Sequence, residues 1–374
     1  MAQSRILKFA DPYAFQTAFR AVDVDLLVTA RGSFRADMVQ VDLGRLLMQS
    51  SVDSLPRIMR ATIGAGRAPI MFLGDMNQKP IHLGGTELHA GEVIIWGRNA
   101  NGHLRTAGAT RSASMSLTCE DLTMAGLAIA DCELTAPSDT AVVRLPHRLV
   151  ARLMDLHETA AHLARTAPSV LATPTVANAL EQELVHAMIA CLSAHAGRDT
   201  ERHVLPHAKV IARFEDFLMA RHNAPVHLIE MCAAIGVSER TLRSCCHEHF
   251  GMGPIRYLWL RRMHLARRSL LRADPATASV TSTATEYGFW ELGRFSVEYR
   301  GLFGESPSAS LRRPPDDAAG RRALHQRASA RPTRSRQGSH TGGLGGDDDV
   351  QALHLLRGHF RGVDQVSARR RDGI

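Results

Sequence analysis

Residues 228–250, LIEMCAAIGVSERTLRSCCHEHF, and residues 280–303, VTSTATEYGFWELGRFSVEYRGLF, follow one plan written twice. Leu228, Cys232 and Gly236 recur 52 residues later as Val280, Ala284 and Gly288. After a one-residue insertion, Leu242, Cys246, Phe250, Gly251 and Pro254 recur 53 residues later as Phe295, Tyr299, Phe303, Gly304 and Pro307. So many positions matched in order indicate a duplicated structural unit.

Each copy reads as a short helix, a turn carrying glycine, and a second helix whose apolar residues stand four apart. In the first, Ser238 is a natural N-cap for ERTLRSCCHEHF. Leu242, Cys246 and Phe250 then face inward, which leaves Arg240, Arg243, Ser244 and His247 outside. In the second copy Phe295, Tyr299 and Phe303 face inward and Glu291, Arg294, Ser296, Val297 and Arg300 are left outside. One helix bracing another, whose outer face carries short polar and arginine side chains, is the arrangement that reads base edges in a major groove. These nine residues are therefore the candidate DNA-contacting set.

Between the copies, PIRYLWLRRMHLARRSLL (254–271) reads as one helix with proline in its first turn. At 1.5 Å per residue it would span about 27 Å, which suits two recognition helices entering successive grooves about 34 Å apart. Arg261, Arg262, Arg267 and Arg268 on it are expected to be solvated or to face phosphate.

GFWELGRFSVEYRGLFGESPSASLRR (288–313) resembles the C-terminal signature of AraC/XylS-type transcription regulators, and CAAIGVSERTLRSCCHEHFGMGPIRYLWLRRMHLARRSLL (232–271) resembles their first module and bridging helix. The resemblance covers about 206–313 and implies a seven-helix, two-module DNA-binding domain. By position, Arg240, Arg243 and Ser244 match the base-facing places of the first recognition helix, and Glu291, Arg294 and Val297 those of the second. It also implies a β-rich N-terminal domain that binds an effector or dimerises. Three features depart from the pattern: Cys245-Cys246 in place of larger apolar residues, the polar Thr281-Ser282-Thr283, and Ser310 where an aromatic is frequent.

Upstream, residues 1–145 carry short apolar stretches such as DLLVTARGSF, APIMFLGD and GEVIIWGRNANG, punctuated by Gly84-Gly85, Gly91, Gly97 and Asn101-Gly102, which favours a β-sandwich or barrel. From 146 to 200 the period becomes helical. Leu149, Leu153, Leu156 and Leu163 mark one stripe, and Val176, Leu180, Leu184, Met188 and Leu192 a second, giving an expected linker or dimerisation segment. Residues 314–374, rich in Arg, Ser, Gly and Asp, are expected to form a disordered tail. The fold class is thus α+β: a β-rich sensor-like domain, a helical linker, and an all-α domain of two helix-turn-helix modules joined by a long helix.

Charge supports that division. The whole chain is +8, but residues 1–205 hold 19 Lys+Arg against 20 Asp+Glu, residues 206–313 hold 15 against 10, and residues 314–374 hold 11 against 7. The positive excess lies where a polyanion would be met. No apolar run suits a membrane span and no signal core precedes Asp11-Pro12, so the chain is expected to be cytoplasmic. The six cysteines lack zinc-type spacing, and His82, His89 and His103 lack the His-x-His of a metal site. Neither a catalytic grouping nor a phosphate-cradling loop is present, so neither an enzyme nor a cofactor is expected. The expected partners are double-stranded promoter DNA, RNA polymerase, a small-molecule effector and a second copy of the chain. Two alternatives remain at this stage: a regulator whose N-terminal domain only dimerises, and an N-terminal enzyme fused to a DNA reader.

Overall fold

The computed structural model describes residues 2–195, 201–203, 207–221 and 226–313, and the expected tail at 314–374 lies outside them. The N-terminal part runs β1 (Gln3–Phe9), α1 (Pro12–Thr17), β2 (Val22–Val28), β3 (Ala36–Asp42), β4 (Leu47–Asp53), β5 (Arg57–Ile63), β6 (Arg67–Leu73), β7 (Ile81–Leu83), β8 (Thr86–Leu88), β9 (Glu92–Ile95), β10 (Asn101–Thr106) and β11 (Thr110–Thr118). It continues with α2 (Cys119–Ala130), β12 (Ala141–Arg144), α3 (His147–Thr166), α4 (Pro168–Ala172), α5 (Pro174–His195) and β13 (Glu201–His203). The C-terminal part is helical: α6 (Ala208–Ala220), α7 (Leu228–Ile235), α8 (Glu239–Phe250), α9 (Pro254–Arg272), α10 (Val280–Glu286), α11 (Leu292–Phe303) and α12 (Pro307–Arg312).

Two antiparallel sheets face each other, in the orders β1-β3-β4-β11-β6-β9-β12-β13 and β2-β5-β10-β7-β8. Strand alternation sends Val24, Leu26, Met59, Leu83 and Leu104 into the space between them, where Trp96, just after β9, joins them. The larger sheet is covered on its other side as well. Leu153, Leu156 and Ala160 of α3 and Leu180, Leu184 and Met188 of α5 share one core with Val39, Met48, Ile70 and Met115 of that sheet. The apolar stripes of the expected linker segment are therefore buried against the strands, as a helix with one apolar face requires.

In the helical part, the duplicated glycines have a backbone reason. Gly236 (φ 76°) and Gly251 (φ 71°) end α7 and α8 in the left-handed region, and Gly304 (φ 76°) ends α11 the same way, a conformation that a Cβ disfavours. Ser238 caps α8 by accepting from Thr241 N at 3.1 Å, and Ser279 caps α10 by accepting from Ser282 N at 3.0 Å. No helix among the described residues is long and apolar enough to cross a membrane.

The two parts pack on one another. Leu27 of β2 and Ile58 of β5 belong to the same apolar cluster as Phe214, Phe250, Tyr257 and Met263. The outer side of the smaller sheet is thus closed by the helical part.

Candidate nucleic-acid interface

Helices α8 and α11 are each held from behind by aromatic packing. Phe250 of α8 stacks on Tyr257 of α9 at 3.9 Å between centroids, and Phe303 of α11 packs edge-on against His264 of α9 at 5.0 Å. Leu242, Cys245, Cys246 and Phe250 are buried, as are Phe295 and Tyr299. Burial pushes the Cys246 thiol above its ordinary range, which makes it a poor nucleophile.

All nine candidate residues, Arg240, Arg243, Ser244, His247, Glu291, Arg294, Ser296, Val297 and Arg300, are exposed. Two of the arginines are held within their own helices. Arg243 pairs with Glu239 at 2.7 Å, and Arg294 pairs with Glu298 at 3.0 Å, each four residues apart. Glu298 also accepts from Trp259 Nε1 at 2.9 Å, which ties α11 to α9. Trp290, just before α11, is 71% exposed and was not among the expected contacts. Periodicity could not flag it, because it stands in the turn rather than on a helix.

The bridging helix corrects one expectation. Arg267 is only 5% exposed and pairs with Asp11, ahead of α1, while donating to Glu305 Oε1 at 2.6 Å. Arg268 pairs with Asp25 of β2 and donates to Gln16, and Arg272 donates to the Tyr13 hydroxyl. Arg267 and Arg268 thus meet the N-terminal part rather than solvent or phosphate, and the exposed Arg272 touches it as well. A helical stripe in sequence shows which residues share a face, but not which neighbour that face meets.

Two further contacts join the parts. His264 of α9 lies 3.1 Å from the Val28 carbonyl, and burial lowers its pKa to about 4. Tyr257 donates to Glu215 at 2.5 Å, and His103 of β10 stands 3.6 Å from the same carboxylate with its ring edge-on to Phe250. Burial alone would raise the Glu215 pKa, but His103, Arg261 and Tyr257 bring it down to about 2. His82 and His89 flank Glu87 at 3.4 and 3.2 Å. Among the described residues no group of three or more His, Cys, Asp or Glu is placed to hold a metal ion.

Two helix-turn-helix units in tandem, with exposed outer faces and a shared bridging helix, define a DNA-binding domain, and residues 231–313 match the family model of a helix-turn-helix domain. This C-terminal region is a helix-turn-helix domain of the AraC/XylS type. The Probable thc operon regulatory protein of Rhodococcus erythropolis is 42% identical over 100 residues, which cover 27% of this chain and 30% of that protein. The XylDLEGF operon transcriptional activator 3 of Pseudomonas putida is 30% identical over 126 residues, covering 34% of this chain and 37% of that protein. Among solved structures, the AraC-like transcriptional activator CuxR aligns at 15% identity with a TM-score of 0.36, covering 71% of this chain and 95% of that one. The matched stretches of the two curated relatives thus span about a third of their length.

Proposed function

We propose that the chain is a sequence-specific DNA-binding transcription regulator, with Arg240, Arg243, Ser244 and His247 of one module and Glu291, Arg294, Ser296, Val297 and Arg300 of the other meeting the grooves of one duplex face. The observation that carries this is the exposure of all nine residues on two helices braced from behind by the same duplicated frame. The unit at 206–313 is the DNA-reading domain, and the residues before it form the sensor. The protein is a regulator rather than an enzyme, works in the cytoplasm with RNA polymerase as a partner, and acts as an activator, the one of these properties that the name of the Pseudomonas relative states of that protein. Selection by the full chain from a duplex pool with a randomised core tests it. A shared sequence bound with steep salt dependence is expected, and retention without any shared sequence would refute the reading.

A small-molecule effector is the second part of the proposal. A small cavity of about 60 Å³ has Arg20, Gln49, Met59, Trp96, Ser114 and Ser116 among its lining residues. The mixed lining suits a compact, partly apolar molecule that bears a hydrogen-bonding group, and the cavity would have to widen to admit it, since ligand sites run to about 300–1,000 Å³. A panel of such compounds should contain one that raises the melting temperature and shifts affinity for the selected duplex. An unchanged duplex affinity, together with dimerisation that depends on protein concentration, would favour an N-terminal domain that only pairs two copies.

A further inference from the structure

Among the outer-face places where the two recognition helices differ, one exchanges a polar side chain for an exposed branched apolar one. Under the 53-residue offset of the repeat, Ser244 of α8 corresponds to Val297 of α11, and His247 to Arg300. The outer face of α8 is polar throughout, with Arg240, Arg243, Ser244 and His247. On α11, Val297 is 73% exposed, with Arg294 one turn before it and Arg300 one turn after. The polar groups beside it are partly engaged. Ser296 donates its hydroxyl to the Leu292 carbonyl at 2.9 Å, and Arg294 is paired with Glu298.

A scattered exposed apolar residue needs no explanation on most surfaces. Ile229, at 79% exposure, is such a case, because α7 is the supporting helix of its module. Val297 stands instead at the centre of a groove-facing surface, between two cations that would hold it against a polyanion. It has no donor or acceptor beyond its backbone, so it can distinguish bases only by apolar contact. In a major groove the apolar group on a base edge is the C5-methyl of thymine.

We infer that Val297 is a specificity-determining residue that reads a thymine methyl in the half-site of the second module, while the polar face of α8 reads hydrogen-bonding edges in the other. The two half-sites then differ in chemistry, and the protein binds its site in one orientation. This rests on the DNA-reading function proposed above.

The test uses the full chain and the duplex recovered by the selection described above, resynthesised with each thymine replaced singly by uracil. One position in the second half-site should weaken binding by about fourfold, the equivalent of about 0.8 kcal/mol for one buried methyl group. Val297→Ala should bind more weakly and respond no further to uracil at that position, while Arg243→Ala keeps the response. Alanine favours helix more than valine does, so loss of α11 is not expected, and an unchanged melting temperature checks this. A specific duplex whose uracil series shows no sensitive position, or a sensitivity unchanged in Val297→Ala, would overturn the inference and leave the function standing. Recovery of no shared sequence would overturn both.

Discussion

Tyr299 of α11 is connected to Asp11 of the N-terminal part through a continuous chain of polar contacts, buried except at the half-buried Glu305. Its hydroxyl donates to Ser310 Oγ at 2.7 Å, and Ser310 donates to Glu305 Oε1 at 2.7 Å. Arg267 then donates to the same Glu305 oxygen and to Asp11. Arg313 stands 3.6 Å from both carboxylates. Ser310, which departs from the family pattern, is fully buried and serves as the middle link. The inward face of α11 and the β-rich part are therefore members of one network of polar contacts.

Replacing Arg267 by alanine should be strongly destabilising, since it leaves Asp11 and Glu305 with only the more distant Arg313. Breaking one partner of a buried pair costs about 3–5 kcal/mol. Urea unfolding of the full chain measures this. Arg267→Met combined with Asp11→Asn should recover part of the loss, because fewer buried charges are then left without partners. A cost under about 1 kcal/mol for the single variant would show that the pair does not hold the parts together.

Stability should fall with acid from about pH 6.5 downward. His157 and His264 are buried, and burial lowers each pKa from 6.5 to about 4, despite backbone contacts that favour the proton. The unfolded chain then takes up protons between these values that the folded chain refuses. The stabilising contribution is complete above pH 6.5 and lost as pH falls toward 4, on the order of 3 kcal/mol for each group. Denaturation midpoints at pH 7.5, 6 and 5 should show the slope, and His264→Gln should flatten it. Equal slopes in the wild type and in this variant would remove His264 as a cause.

Arg243→Ala and Arg294→Ala should leave the melting temperature nearly unchanged, since both side chains lie outside the core. Each should weaken binding to the selected duplex on the order of tenfold, with little effect on random duplex. Equal losses on both DNAs would assign the arginine to phosphate instead.

Glu239→Gln should strengthen binding to any duplex by a few fold at low salt. The carboxylate 2.7 Å from Arg243 competes with phosphate and base for the guanidinium, and it also repels the backbone. Fluorescence anisotropy across a salt series reads the effect, and an affinity that does not rise at any salt would contradict it.

Trp290 offers a direct optical check. Trp96 is buried and Trp259 is partly buried, with its indole hydrogen-bonded to Glu298, so Trp290 is the tryptophan most open to a ligand. Addition of the selected duplex should change the intrinsic fluorescence, and Trp290→Phe should remove most of that change. A full response in the variant would place Trp290 away from the DNA.

The sequence by itself determined the duplicated helix-turn-helix frame. Gly236, Gly251 and Gly304, the caps Ser238 and Ser279, and the four-residue spacing of Leu242, Cys246 and Phe250 all act over distances of a few residues, and such local rules are written in linear order. The same spacing showed which side chains share an outer face, so the candidates on α8 and α11 were legible as a set. Tertiary structure alone decided what the other faces meet. Arg267 and Arg268 look alike on a helical stripe to any solvated arginine, and only the approach of Asp11 and Asp25, more than 240 residues away in sequence, turns them into interdomain contacts. His103, Glu215 and Tyr257 likewise carry no common motif. Their meeting depends on how the central strand of the smaller sheet packs against two helices, a relationship between surfaces that linear order does not contain.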